Sequence, residues 1–110
     1  MGIDTGSVLI VGLPYKEIAD GLDDQRREKL DELGYYDYLG ADGDLELEYA
    51  SPYYDSDGPD RIWGRIVVFS GDYRAREVPA DFEAKVAAAK QFFKDKTGLE
   101  GRLFVSPHVT

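Results

Sequence analysis

The chain has 110 residues, no cysteine and a net charge of −9. That length makes one domain with a single core, and the missing thiols exclude a disulfide framework and a thiolate metal site while fitting a reducing, cytoplasmic setting. The acid surplus argues against direct attraction to nucleic acid. The opening apolar run, Val8 to Leu13, is too short for a signal peptide or a membrane span.

The charge is unevenly placed. Residues 1–60 hold 16 acids and 4 bases, and residues 61–110 hold 6 acids and 9 bases. Within 31–60 there are 10 acids and no base. A surface of that kind attracts a basic partner.

Residues 1–6 read as a loose end, and Ser7 to Leu13 as a first strand whose pairing Pro14 stops. Ile18, Leu22, Leu30 and Leu33 recur at helical spacing. The favoured reading places a helix from Asp23 or Asp24, acids suited to an N-terminus, to Gly34 as a left-handed cap, with Tyr15 to Leu22 as a loop or single turn. Asp44-Leu45-Glu46-Leu47-Glu48-Tyr49 alternates cleanly and predicts a half-buried strand. Residues 51–60 carry two prolines and a glycine and read as a loop.

Arg61 to Phe69 is apolar on both sides, as expected of a strand in the middle of a sheet. Strict alternation puts Ile62, Ile66 and Val68 on one face and Trp63, Val67 and Phe69 on the other. A turn at Ser70-Gly71-Asp72 follows, with Tyr73 to Val78 as a short return strand or a lead-in. Pro79 suits the start of a helix, Phe82, Val86, Ala89 and Phe93 give it an apolar stripe, and Gly98 caps it. Arg102 to Val105 is the last strand, stopped by Pro107.

The order strand, helix, strand, strand, helix, strand resembles the ferredoxin-like split βαβ arrangement, an α+β fold with a four-stranded antiparallel sheet and two helices on one face. The resemblance implies central first and third strands and edge second and fourth strands, which agrees with where the doubly apolar stretches fall. It also implies an open sheet face. With Ile62, Ile66 and Val68 under the helices, Trp63, Arg65, Val67 and Phe69 would line that face, joined by Arg102 and Phe104 and flanked by Asp44, Glu46 and Glu48.

No phosphate-binding glycine loop, nucleophile system or cofactor motif is present. His108 is the only histidine and reads as a solvated terminal residue. The acidic loop from Asp55 to Asp60 fails as a calcium-binding hand, because its sixth and twelfth positions are Asp60 and Ile66. No catalytic residue, cofactor or metal site is therefore expected. The expected role is a small acidic binding module that docks on a basic protein surface, in its narrower form an inhibitor that mimics nucleic acid. Its contact residues would be Tyr36, Asp37, Tyr38, Asp44, Glu46, Glu48, Tyr53, Tyr54, Asp55, Asp57, Trp63 and Phe69, since tyrosine and tryptophan give large contact area at low entropic cost and acids steer a basic partner in. The alternative is a homodimer joined through open sheet faces around a small-molecule cavity.

Overall fold

The computed structural model describes residues 5–52, 58–71 and 77–109. They form an α+β domain with four antiparallel strands and three α-helices: β1 (Thr5–Pro14), α1 (Tyr15–Gly21), α2 (Asp24–Leu39), β2 (Glu48–Ala50), β3 (Ile62–Gly71), α3 (Phe82–Thr97) and β4 (Arg102–Val109). A single 3-10 turn, Gly58–Asp60, precedes β3. The sheet order is β2-β3-β1-β4, so the two doubly apolar strands are central and β2 and β4 are edges. Tyr73 to Arg76 of the expected return strand or lead-in and the tyrosines and acids at 53–57 lie outside the described residues, while Glu77 and Val78 are exposed and in no strand.

There is one helix more than expected. Pro14 ends the pairing of β1 and stands at the N-cap of α1, whose Ile18 and Ala19 are buried. Leu22 is extended, and Asp23 opens α2 as expected, its carboxylate accepting from Arg26 N at 2.8 Å. That bond first, and then the Arg26 guanidinium, lowers the Asp23 pKa despite a partial opposing desolvation. The same guanidinium donates from Nε to the Lys96 carbonyl, so Arg26 also caps the far end of α3 at 3.0 Å.

Gly34 does not end α2. Its φ of 84° with ψ of 167° kinks the helix, which resumes and runs to Leu39. Tyr35, Tyr38 and Leu39 carry the i, i+3, i+4 spacing that continues an apolar stripe beyond the glycine. Residues 44–47, expected to be the first half of β2, are not paired in the sheet. Leu45 N and Leu47 N instead donate to the carbonyls of Tyr38 and Leu39 at 2.9 and 2.8 Å. These bonds satisfy carbonyls that the end of α2 would otherwise leave open. Glu46 sits between them in the left-handed region (φ 54°), which breaks the extended chain. Leu45 and Leu47 are buried as expected, under α2.

The pairing of β1 with β3 slips by one residue: Leu9 lies opposite Val68 and Ile10 opposite Ile66, leaving Val67 as a bulge. Strict alternation fails there. Trp63 lies opposite Leu13 and Phe69 opposite Val8, so the two aromatic residues are on opposite faces. The face with Leu13 and Trp63 packs on Ile18, Leu30, Leu39 and Phe93 from the three helices and on Leu22 between α1 and α2. The other carries Val8, Ile10 and Ala50 with Ile62, Ile66 and Phe104 against them. The helix-covered face is thus the Trp63 face, the reverse of the sequence expectation.

The second face is not an open apolar plane. The sheet coils until its two edges meet: β2 and β4 are in contact, and Ser51 N donates to His108 Nδ1 at 3.1 Å. Val8, Ile10 and Ala50 are each at most 1% exposed within the single chain. β4 also runs through Pro107 to Val109, because an edge strand bonded only to β1 tolerates a missing N–H on its outer side. On α3, Ala89 and Phe93 are buried, and Gly98 takes the left-handed conformation (φ 77°, ψ 4°), both as expected. No helix is long and apolar enough to cross a membrane among the described residues.

Candidate functional site

The C-terminal half of α2 and the segment after it wrap one end of β3. Gly40 N bonds Tyr36 O, Gly43 N bonds Gly40 O, and the next residues return along α2 to enter β2. A cleft of about 500 Å³ lies under this wrap. Tyr36, Asp37 and Asp42 come to it from the α2 side. Leu47, Glu48 and Tyr49 line it from the β2 side, and Trp63, Ile66 and His108 form the remaining wall.

The aromatic walls belong to a longer row of rings. Tyr15 meets Tyr35, Tyr35 meets Tyr36, and Tyr36 meets the Trp63 edge at 6.1 Å. Trp63 contacts Tyr49 at 5.3 Å, and Tyr49 and Phe69 both contact the His108 ring. The guanidinium of Arg61 lies over Tyr36 and Tyr49, 5.3 and 4.1 Å from the ring centroids, and donates from Nη1 to the Tyr36 hydroxyl at 2.7 Å.

The acids fall into two groups. Glu46 pairs with Lys96 at 3.1 Å, and Glu48 accepts from Ile66 N at 2.9 Å with the Arg65 guanidinium 3.9 Å away. Glu48 thereby closes the edge of β3 just beyond the last residue that β2 reaches. The Arg65 guanidinium also stacks on Phe92, 3.8 Å from the ring centroid. Asp37, Asp42 and Asp44 are exposed and make no ion pair among the described residues. No group of three or more acidic or histidine side chains converges as a metal set among the described residues.

The sequence-expected contact residues are thus divided. Tyr36 and Asp37 are exposed at the mouth of the cleft, with Asp44 and Glu46 exposed close by in sequence. Tyr38 is 3% exposed and Trp63 0%, so both are core residues. Burial raises the pKa of the Tyr38 hydroxyl. Phe69 is 48% exposed but lies on the other face of the sheet, against His108. Tyr53, Tyr54, Asp55 and Asp57 lie outside the described residues.

The sequence reading missed Asp42, Tyr49 and His108 as members of the cleft. The spacing of Phe104, Ser106 and His108 carries the signal for the last, since it keeps period 2 through Pro107 and turns all three to one face. His108 is a latch between the sheet edges rather than a solvated end. Its Nδ1 accepts from a backbone N–H, so the bonded form is the neutral ring with its proton on Nε2. Burial, and then the nearby Arg61 charge, lowers its pKa from the ordinary value of 6.5.

A depressed pKa means that the latch contributes in full above the unfolded value and is lost as pH falls through the folded one. The urea midpoint of the native chain is therefore expected to fall as pH drops below about 6.5. His108→Gln is expected to flatten that slope. Asp23 and Glu100, whose pKa values are also lowered, lose their contributions only below about pH 4–4.5. Equal slopes for the two chains between those limits would exclude the latch.

No protein-family model matches the sequence, and neither a curated protein nor a solved structure matches it.

Proposed function

We propose that the chain is a binding module that docks on a basic surface of another protein through the acidic mouth of the cleft. One observation carries this reading: Asp37 and Asp42 line a single cleft, both are exposed, and neither is neutralised by an ion pair among the described residues. Asp44 continues the same charge. Acids left unpaired beside exposed Tyr36 combine long-range steering with contact area. We also read the architecture as ferredoxin-like. The order β2-β3-β1-β4 with antiparallel neighbours supports that reading, α1 and α2 together standing in the first helical connection.

The test is affinity capture from lysate at low and high salt, with the native chain and an Asp37→Asn, Asp42→Asn, Asp44→Asn variant. The three side chains are exposed, so the variant is expected to melt as the native chain does. A basic protein retained by the native chain at low salt and released by the variant is the expected result. Retention of the same proteins by both chains would remove the acidic mouth from the function.

A further inference from the structure

The cleft has the size of pockets that enclose a ligand group. Its mouth combines two carboxylates, Asp37 and Asp42, with the tyrosine walls Tyr36 and Tyr49. Glu48 is already committed to Ile66 N, so it braces the wall and leaves the two aspartates as the free charges. A planar guanidinium suits both features, because it forks onto carboxylates and stacks on rings, and it is more weakly hydrated than an ammonium. The molecule shows the second property at this place, where Tyr36 and Tyr49 hold the guanidinium of Arg61 over their rings, and the two aspartates outnumber that one resident cation.

Resting on the reading of the chain as a binding module, we propose that the cleft receives one arginine side chain of a partner protein. Charge complementarity names the occupant. Ten acids and no base occur from residue 31 to 60, and the exposed Asp44, unlike Glu46 with its Lys96 partner, adds an unpaired acid close in sequence to Asp42.

Trp63 is the only tryptophan and lines the cleft, so its fluorescence and indole resonance report an occupant. The probes are capped glycine pentapeptides with arginine, lysine or neutral citrulline at the centre, and free arginine amide. The arginine peptide is expected to bind saturably, the lysine peptide about tenfold more weakly, and the citrulline peptide not at all. Asp37→Asn with Asp42→Asn is expected to weaken the arginine peptide by at least about tenfold. Glu83→Gln, an exposed acid in the first turn of α3, is expected to change nothing.

Equal binding of arginine and lysine peptides, weakened as much by Glu83→Gln as by the cleft variant, would mean diffuse attraction and would overturn the arginine site. A silent arginine peptide beside a partner captured through the three aspartates would overturn the site and leave the binding module standing. Free arginine amide binding as tightly as the peptide, with nothing retained from lysate, would overturn both.

Discussion

Replacing Gly12 or Gly64 with alanine is expected to destabilise the fold severely. The two glycines face each other across β1 and β3. A Cβ on Gly12 would lie 2.0 Å from the Trp63 carbonyl oxygen and 2.8 Å from the Gly64 Cα. A Cβ on Gly64 would lie 1.9 Å from the Val11 carbonyl oxygen. Every one of these obstacles is backbone, so no rotamer change relieves the clash, and the strands would have to separate where both are bonded. Glycine at such a place lets two backbones approach and a sheet bend sharply. Overpacking that side chains can absorb costs about 1–3 kcal/mol. A backbone clash at the centre of the sheet should exceed about 4 kcal/mol, the range of exceptional single substitutions, against a total stability of order 5–15 kcal/mol. Gly21→Ala is the comparison. Its Cβ would meet only the flexible end of Leu99, at 3.0 Å, and that variant should stay folded. Far-UV circular dichroism and urea unfolding of the three variants decide the matter. A cooperative transition for Gly12→Ala within about 1 kcal/mol of the native chain would show that the strands have room to part.

The features legible in the sequence are those set by a few neighbouring residues. Asp23 caps α2 because its own carboxylate reaches an N–H three residues on. Gly98 ends α3 because only glycine takes that backbone conformation without strain. Doubly apolar strands could be placed at the centre because burial on both faces excludes an edge. The errors arose where a distant partner decides. The Val67 bulge is a property of how β1 and β3 fit together, and nothing in Ile66-Val67-Val68 marks which residue will be extra. That single slip parted Phe69 from Trp63, and alternation alone does not say which face the helices cover, which is how Trp63 rather than Ile62 came to lie in the core under them. Leu45 and Leu47 alternate as in a strand, yet their N–H groups found the open end of α2. Pro107 reads as a stop, and its tolerance depends on β4 having no neighbour on one side. The acidic character of the site was visible in composition, whereas the gathering of Asp37, Asp42 and His108 around one cleft depends on the chain continuing as helix beyond Gly34.

Trp63→Ala is expected to cost roughly 3–5 kcal/mol, the range for emptying a buried large aromatic site. The side chain is fully buried, and it joins the sheet to the helices through the cluster that includes Leu13, Leu39, Leu47 and Phe93. It also contacts the rings of both Tyr36 and Tyr49, the two tyrosine walls of the cleft. Loss of stability and loss of cleft shape are therefore expected together in the alanine variant. Trp63→Phe separates them. A smaller ring keeps a hydrophobic wall but leaves a gap, at a cost of roughly 1–3 kcal/mol, so the chain should remain folded with a widened cleft. Urea midpoints give the stability order native, Trp63→Phe, Trp63→Ala. The Tyr49 amide resonance replaces tryptophan fluorescence as the reporter of peptide binding, since each variant removes the only indole. If Trp63→Phe binds the arginine peptide as the native chain does, the carboxylates alone hold the ligand and the ring packing serves the core. If binding falls although the fold persists, the shape of the cleft wall that Trp63 forms with the two tyrosines sets the affinity.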